Sequence, residues 1–206
     1  MIQLSKENYI AEGLERKCYY HPTEVNLCVK IGKAGVDPKR LDLEIDYFNK
    51  INKRDSKKYS YPFYSDFYGK ETTNYGIGYI YDIVRDEKSN NLSLTLRDYL
   101  EMPDSPIKDE VIVTALECLK TQMIKHKVFV GDLRARNLCC KILKDNSIQL
   151  IVIDGIGHRD FFPFADYFRY FAKRKVERRF IKANLHSLVA QRNLLKSLRA
   201  SGEVYV

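Results

Sequence analysis

The hydrophobic pattern of residues 1–84 predicts strands, then one amphipathic helix, then strands again. Residues 16–22 and 25–32 are rich in β-branched and aromatic residues around a turn, which predicts a strand pair. Between residues 38 and 53, apolar residues recur every three or four positions behind a proline, which predicts a helix. These apolar residues are Leu41, Ile45, Phe48 and Ile51. Residues 63–71 and 75–84 predict a second strand pair, with its hairpin at Thr73, Asn74 and Gly76.

The pattern becomes mainly helical after a polar linker at residues 85–93. Residues 94–100 predict a short helix with Thr95 as its cap, and residues 107–127 predict a long helix that buries one face. Residues 138–143 and 148–154 predict a hairpin in which Asp154 ends the second strand. Helical, basic sequence then runs from about residue 164 to residue 201. Because strands and helices are largely segregated along the chain, we expect an α+β fold.

Composition limits the class of protein. The chain is 45% hydrophobic and 30% charged over 206 residues, so it can bury a core as one domain or as one domain of two small lobes. It has no run of 18 apolar residues and no basic segment followed by an apolar one at its start, so we expect no transmembrane helix, no secretory signal and a cytoplasmic location. Five cysteines without CxxC spacing and four scattered histidines predict neither a disulfide framework nor a zinc site.

Positive charge is concentrated near the C-terminus. The formal net charge is +8, and residues 166–206 hold ten basic and three acidic residues, which amounts to +7. A basic cluster at residues 173–182 favours a polyanionic partner, such as a phosphorylated glycolipid, an anionic membrane surface or a nucleic acid. The alternative is a solvated helix face. The interpretation as a nucleic-acid-binding protein depends on this cluster alone, because the chain has no recognised nucleic-acid-binding module.

Candidate chemistry is concentrated in the stretch VFVGDLRARNLCC, residues 128–140, where a polar turn lies between two apolar runs. Asp132 and Asn137 lie five positions apart in this turn, and the predicted hairpin brings Asp154 towards them. Two carboxylates and a carboxamide form a hard oxygen site, which suits Mg²⁺. The sequence therefore predicts a magnesium site at the open end of this hairpin.

A second candidate group lies upstream, where Lys30 interrupts the apolar strand LCVKI. A buried ammonium group is costly unless an opposite charge accompanies it. Glu44, on the predicted helix that follows, is a candidate partner for Lys30, although Asp42 and Asp46 compete with it on the same helix.

The order of these residues resembles a known superfamily. A strand lysine, a helix glutamate, an Asp-x-x-x-x-Asn loop and a late Asp-Gly, in this order, resemble the protein kinase-like fold and its small-molecule phosphotransferase relatives. More closely, nearly the whole chain resembles the bacterial YrbL family, a kinase-like group named for the PhoP regulatory network. The stretches that carry this resemblance are RKCYYHP, the strand with Lys30, YGIGYIYD and LRARN.

The resemblance implies a single kinase-like domain of two lobes. Residues 1–84 would form a small lobe with an antiparallel sheet, residues 85–93 the hinge or linker, and residues 94–206 a reduced helical lobe. By the same resemblance, Lys30 would pair with the phosphates of ATP and Glu44 would hold Lys30. Gly13 would lie in the phosphate loop, and Tyr81 and Ile83 would belong to the hinge segment that meets the adenine ring.

The implied roles in the second lobe concern phosphoryl transfer. Asp132 would orient the acceptor hydroxyl and take its proton, Arg134 would support the transferred phosphoryl group, and Asn137 would ligate Mg²⁺ together with Asp154. The chain also departs from the kinase pattern. Gly13 is the only glycine in its phosphate loop, and Asp154-Gly155-Ile156 stands where kinases have Asp-Phe-Gly. Only 52 residues follow Asp154. A truncated second lobe is therefore expected.

Two classes of function follow from these observations. In the first, the protein is a phosphotransferase that uses ATP and Mg²⁺ on an anionic acceptor, such as a sugar or a lipopolysaccharide precursor. In the second, it is a pseudokinase or a nucleotide-binding regulatory module that meets a partner or a polyanion through its basic C-terminal helices. The sparse glycine loop favours the second class, and the presence of Lys30, Asp132, Asn137 and Asp154 together favours the first.

Overall fold

The computed structural model describes residues 1–55, 61–157 and 168–200, and for Arg40 and residues 193–200 the description is confined to the backbone. The chain divides into two compact units, Met1–Val84 and Arg85–Val206. Each unit has its own sheet and at least one helix of its own.

The first unit is a five-stranded antiparallel sheet with one helix. The strands occur in the spatial order β1-β2-β3-β5-β4. Their bounds are β1 Tyr9–Glu12, β2 Arg16–Tyr20, β3 Leu27–Gly32, β4 Phe67–Thr73 and β5 Gly76–Asp82, and the helix α1 is Pro38–Arg54. The sequence pattern predicted α1 and the β2–β3 pair, but it missed β1 because Tyr9–Glu12 is largely exposed and carries no apolar alternation.

The two faces of the β3 strand have different neighbours. Val29 and Ile31 pack with Ile2, Leu4, Tyr19 and Ile80 in one buried cluster. Because side chains alternate along a strand, Lys30 points to the opposite face. On α1, the ring of Phe48 lies 6.1 Å from that of Tyr81 and 6.2 Å from that of Phe67, measured between ring centroids. The aromatic face of α1 therefore covers the ends of β4 and β5.

The second unit has four helices among its described residues, and a two-stranded sheet. The bounds are α2 Leu96–Glu101, α3 Asp109–His126, β6 Leu138–Ile142, β7 Ile148–Val152, α4 Arg169–Ala183 and α5 Leu185–Ala200. Thr95 caps α2, since its hydroxyl accepts a hydrogen bond from the Asp98 amide and the Asp98 carboxylate accepts one from the Thr95 amide. The α3 helix buries one apolar face, which consists of Ile112, Ala115, Leu116, Leu119 and Met123.

Comparison with the sequence pattern confirms the mixed α+β class and corrects some boundaries. The strand predicted to end at Asp154 ends at Val152, and the strand predicted from residue 63 begins at Phe67. Residues 164–167 and 201, included in the predicted basic helices, lie outside the described residues. Among the helices that the structure describes, none combines the length and the apolar character that crossing a membrane requires.

Candidate functional site

The loop that carries Asp132 is fixed to the segment after β7 by backbone hydrogen bonds. Val130 and Ile156 form an antiparallel bridge. The Gly131 amide donates to the Gly155 carbonyl at 2.7 Å, and the Gly157 amide donates to the Phe129 carbonyl at 2.8 Å. Because Val128, Phe129 and Val130 are fully buried, the residues that lead into the loop are anchored in the core. Asp132 therefore has a defined backbone position beside Gly155.

Gly155 lies so close to Asp132 that a side chain would not fit between them. Its φ is +76°, and a Cβ atom there would lie 2.9 Å from the Asp132 Cβ atom and 3.2 Å from the Asp132 carbonyl oxygen. Both the positive φ and the close approach favour glycine. Close packing therefore explains the glycine of the Asp154-Gly155 pair: without a side chain at residue 155, the backbone next to Asp154 can contact Asp132.

We expect Gly155→Ala to lower the free energy of unfolding by about 3 kcal/mol, because alanine adds both left-handed backbone strain and overpacking. Gly35→Ala is the matched control: its φ is +83°, but a Cβ there would meet nothing within 4 Å. The control should lose only about 1 kcal/mol, from the backbone term alone. Urea denaturation of both variants measures the difference, and equal losses would show that the contact with Asp132 contributes nothing.

Asn137 ties the two ends of the loop together. It is the last residue of a 3-10 turn, Ala135–Asn137, and it is buried. Its side-chain nitrogen donates to the Asp132 carbonyl oxygen at 2.8 Å and to the Asp132 carboxylate at 3.1 Å. Since the nitrogen is used in these two bonds, Oδ1 is the atom of this amide that would ligate a metal.

Two arginines hold the carboxylate of Asp132. Arg134 Nε lies 2.7 Å from Oδ1, and Arg136 Nη2 lies 3.7 Å from Oδ2. The side chain of Asp132 is 42% exposed, so water weakens both ion pairs. The sequence pattern predicted a supporting role for Arg134 and missed Arg136, although its spacing of four residues from Asp132 was a usable signal.

Asp154 lies two residues after the end of β7 and directly follows Ile153, whose backbone bonds to Asn137. The Ile153 amide donates to the Asn137 carbonyl at 2.9 Å, and Asp154 Oδ1 accepts a hydrogen bond from the Gly155 amide at 2.7 Å. The hairpin therefore brings the backbone at Asp154 to the same end of the sheet as Asn137, as the sequence predicted.

The donor atoms at this end of the sheet fit a magnesium ion. They are the carboxylates of Asp132 and Asp154 and the amide oxygen of Asn137, and Mg²⁺ prefers oxygen ligands with water and phosphate completing its shell. Within the described ranges there is no group of three or more His, Cys, Asp or Glu side chains that could hold a metal. Magnesium binding by Asp132, Asn137 and Asp154 stays a prediction.

Part of the basic C-terminal sequence supports this loop. Arg179, on α4, donates from Nη1 to the Gly131 carbonyl at 3.2 Å. Lys175 is buried, and its Nζ lies 4.3 Å from the centroid of the Phe129 ring. Of the cluster predicted to meet a polyanion, these two side chains instead face the core and the Asp132 loop.

Lys30, Glu44 and Arg16 surround one tyrosine in the first unit. Lys30 Nζ lies 4.2 Å from the centroid of the Tyr81 ring, and the Tyr81 hydroxyl donates to the Glu44 carboxylate at 3.1 Å. Arg16 Nη1 donates to the same carboxylate oxygen at 2.8 Å. Both Arg16 and Glu44 are nearly buried, with side chains 11% and 8% exposed. The sequence pattern predicted Glu44 and missed Arg16, which β2 brings beside α1.

The residues predicted to meet the base and phosphates of a nucleotide also have defined positions. Tyr81 is buried in β5, so its ring packs in the core of the first unit. The Ile83 amide donates to the Asn26 carbonyl at 2.9 Å. Gly13 is exposed in the β1–β2 turn, where its amide donates to the Arg16 carbonyl at 2.8 Å.

Comparison with known proteins bears on the identity of the chain. The sequence model of the family described as PhoP regulatory network protein YrbL matches residues 2–186. The chain belongs to this family. The match spans the residues of both candidate groups, from Gly13 to Asp154, and it confirms the resemblance to the YrbL family.

Two curated relatives agree with the family assignment. They are the proteins described as "Uncharacterized protein YrbL" in Escherichia coli (strain K12) and in Shigella flexneri. Each is 27% identical to this YrbL-family chain over 201 residues, which cover 94% of the chain and 93% of the relative. The similarity therefore extends over nearly the full length of both proteins.

Proposed function

We propose that this YrbL-family protein is a kinase-like phosphotransferase that uses ATP and Mg²⁺ to phosphorylate a hydroxyl group of an anionic acceptor, such as a sugar or a lipopolysaccharide precursor. The first unit corresponds to the small lobe of this fold and the second to a truncated helical lobe. One observation carries the proposal: Asn137 donates to both the carbonyl and the carboxylate of Asp132, next to the Asp154-Gly155 segment.

The second unit supplies the residues for chemistry. The carboxylate of Asp132 would accept the proton of the attacking hydroxyl, for which its partial exposure leaves room. Asn137 Oδ1 and the carboxylate of Asp154 would hold Mg²⁺, which neutralises phosphate charge when bound. Rigid backbone pairing around Gly131 and Gly155 would keep these groups in position, and positioning is the main requirement of phosphoryl transfer.

The first unit supplies a cation for the phosphates. Lys30 is 8% exposed and stacks on Tyr81, whose hydroxyl is bonded to Glu44. Tyr81 thus links Lys30 to Glu44 within one buried group. In this proposal Lys30 contacts the α- and β-phosphates of ATP, Gly13 lies in the phosphate loop, and the segment with Ile83 meets the adenine ring.

A second candidate function is a nucleotide-binding or nucleotide-independent regulatory module. It is favoured by the phosphate-loop segment, in which Gly13 is the single glycine, and Glu44 also pairs with Arg16 at 2.8 Å. In this case the exposed basic residues of α4, including Arg174, Arg178 and Lys182, would contact a partner or a polyanion.

A thermal-shift titration with ATP, with and without Mg²⁺, tests nucleotide binding. At ligand concentrations near 100 times the dissociation constant, binding stabilises the folded state by about 2.7 kcal/mol, which should raise the midpoint by about 5 to 10 °C at this chain length. We expect the Mg²⁺-dependent part of this rise to be lost in Asp154→Asn, because the variant removes one metal ligand.

The matched control is Asp145→Asn, which removes an exposed carboxylate in the β6–β7 turn of the same unit. The control should keep the full Mg²⁺-dependent rise. No rise with millimolar ATP in the wild-type protein would contradict the phosphotransferase proposal, whereas a rise that needs no Mg²⁺ would favour the regulatory module.

A further inference from the structure

A cavity of about 540 Å³ lies beside the Asp132 loop, entirely within the second unit. Its walls come from α2 and the residues after it, from the 3-10 turn of the loop, and from α5. The lining residues are Arg97, Leu100, Glu101, Met102, Pro103, Arg134, Ala135, Arg136, Leu188, Gln191 and Arg192. This volume falls in the range of small-molecule sites.

Positive charge dominates the cavity wall. Four of the lining residues are arginines, and three carboxylates of the described residues pair with them. These pairs are Arg97 with Glu101, Arg134 and Arg136 with Asp132, and Arg192 with Asp109. An anion that enters the cavity therefore meets more guanidinium groups than these three carboxylates neutralise.

Arg192 supplies hydrogen-bond donors at a place that water reaches poorly. Its side chain is 6% exposed and lies 3.1 Å from the carboxylate of Asp109, which is buried to the same degree. Despite this distance, the three guanidinium nitrogens of Arg192 have no hydrogen-bond partner in the part of the chain that the structure describes. The buried carboxylate of Asp109 balances the charge of Arg192, so Arg192 offers an entering anion unused hydrogen-bond donors and no further net charge.

The remaining wall suits the carbon skeleton of an organic anion. Leu100, Met102, Pro103 and Leu188 supply apolar surface next to the arginines. Arg134 and Arg136 belong both to this wall and to the pair that holds the carboxylate of Asp132. The cavity and the candidate base are thus connected by the same two guanidinium groups.

We infer that this cavity binds a phosphomonoester group of the acceptor, and that this group draws Arg134 and Arg136 away from Asp132. The inference rests on the proposed phosphotransferase function. Guanidinium groups bind phosphate in bidentate geometry, and a phosphate dianion competes well with a single half-exposed carboxylate. The acceptor's own charge thereby frees the base that its hydroxyl group needs.

The transfer step then balances within the named reactants. The acceptor hydroxyl gives its proton to Asp132, its oxygen forms a bond to the γ-phosphorus of ATP, and the bond from that phosphorus to the β–γ bridging oxygen breaks. ADP leaves with the electron pair of the broken bond. Phosphorylated sugars and inositols, either free or as the headgroup of a lipid, carry both a phosphate and a free hydroxyl group and therefore have the chemistry of such an acceptor.

Calorimetric titration without ATP tests the cavity independently of catalysis. The probes are glucose 6-phosphate, unphosphorylated glucose, and phosphatidylcholine vesicles with and without phosphatidylinositol 4-phosphate. We expect the double variant Arg134→Gln/Arg136→Gln to bind the phosphorylated probe at least about 100-fold more weakly than the wild type, since two charged hydrogen-bonding groups are lost. The control Lys125→Gln/Lys144→Gln removes the same charge from exposed positions of the second unit that do not line the cavity.

Each outcome decides the inference. Glucose 6-phosphate binding that needs Arg134 and Arg136 supports a free sugar phosphate, and vesicle binding with the same dependence supports a lipid headgroup. The cavity assignment would be overturned if the double variant kept its affinity for the phosphorylated probe, or if the control variant lost as much affinity as the double variant. It would also be overturned if glucose bound as tightly as glucose 6-phosphate, or if neither phosphorylated probe bound. Arg134→Lys/Arg136→Lys should restore part of the affinity, which excludes misfolding as the cause of the loss.

The two proposals fail in different ways. If anion binding depends on the two arginines but ATP does not raise the melting temperature, the cavity assignment stands and the phosphotransferase proposal fails. If ATP raises the melting temperature but anion binding does not depend on Arg134 and Arg136, the phosphotransferase proposal stands and the cavity assignment fails.

Discussion

Under the proposed function, we expect Asp132→Asn to lower the rate of ADP release from ATP by about 100- to 10,000-fold, the usual contribution of a general base. Asparagine keeps the size of the side chain, but it has little capacity to accept a proton. The backbone hydrogen bonds that fix the loop, including the one from the Gly131 amide to the Gly155 carbonyl, do not involve this side chain. The loss should therefore fall on turnover and leave nucleotide binding in place.

The measurement is ADP release with ATP, Mg²⁺ and glucose 6-phosphate, next to a thermal-shift titration of the same variant. Asp145→Asn again serves as control and should retain the wild-type rate. If Asp132→Asn keeps the wild-type rate of ADP release, Asp132 is not the base. If the variant no longer shows an ATP-induced rise in melting temperature, Asp132 acts in ligand binding instead.

Replacing Glu44 with glutamine should lower the free energy of unfolding by about 3 kcal/mol, because it leaves the buried guanidinium of Arg16 without its carboxylate. Arg16 and Glu44 are 11% and 8% exposed, and the bond between them is 2.8 Å long. Breaking a buried pair by removing one partner costs far more than breaking a surface pair. Urea denaturation, followed by fluorescence of the tyrosines, measures the change.

Glu12→Gln is the matched control in the same unit. Glu12 pairs with Lys33 at 3.2 Å, but its side chain is 47% exposed, so its loss should cost less than about 1 kcal/mol. A loss in Glu44→Gln no larger than the loss in the control would show that the Arg16 pair does not stabilise the first unit. A double-mutant cycle with Arg16→Met would then isolate the energy of the pair itself.

The sequence predicted helices with strong local signals well. The α1 helix begins at Pro38 as predicted, with the Asp37 side chain capping its first turn, and α2 has the predicted Thr95 cap. Both signals are local, because they depend on a few neighbouring residues. The β1 strand gave no such signal, since its exposed residues are held by pairing with β2, a contact that hydrophobic periodicity does not record.

The sequence also identified the carboxylates and amide of the second unit, but not the arginines around them. Asp132, Asn137 and Asp154 stood out because polar residues interrupt apolar runs there. Arg179 and Arg192 looked like members of a basic, solvent-facing tail. Only the packing of α4 and α5 in the second unit shows that Arg179 bonds the Asp132 loop and that Arg192 is buried against Asp109.

The sequence by itself determined the mixed α+β class, the family and the three oxygen-bearing residues of the candidate site, Asp132, Asn137 and Asp154. Periodicity, turn residues and the types of polar side chains are written along the chain, and each depends on local chemistry. The tertiary structure decided which charges meet: Glu44 with Arg16, Asp132 with Arg134 and Arg136, and Asp109 with Arg192. Ion pairs between distant residues depend on how helices and strands pack, and similar surface and buried arginines are indistinguishable until that packing is known.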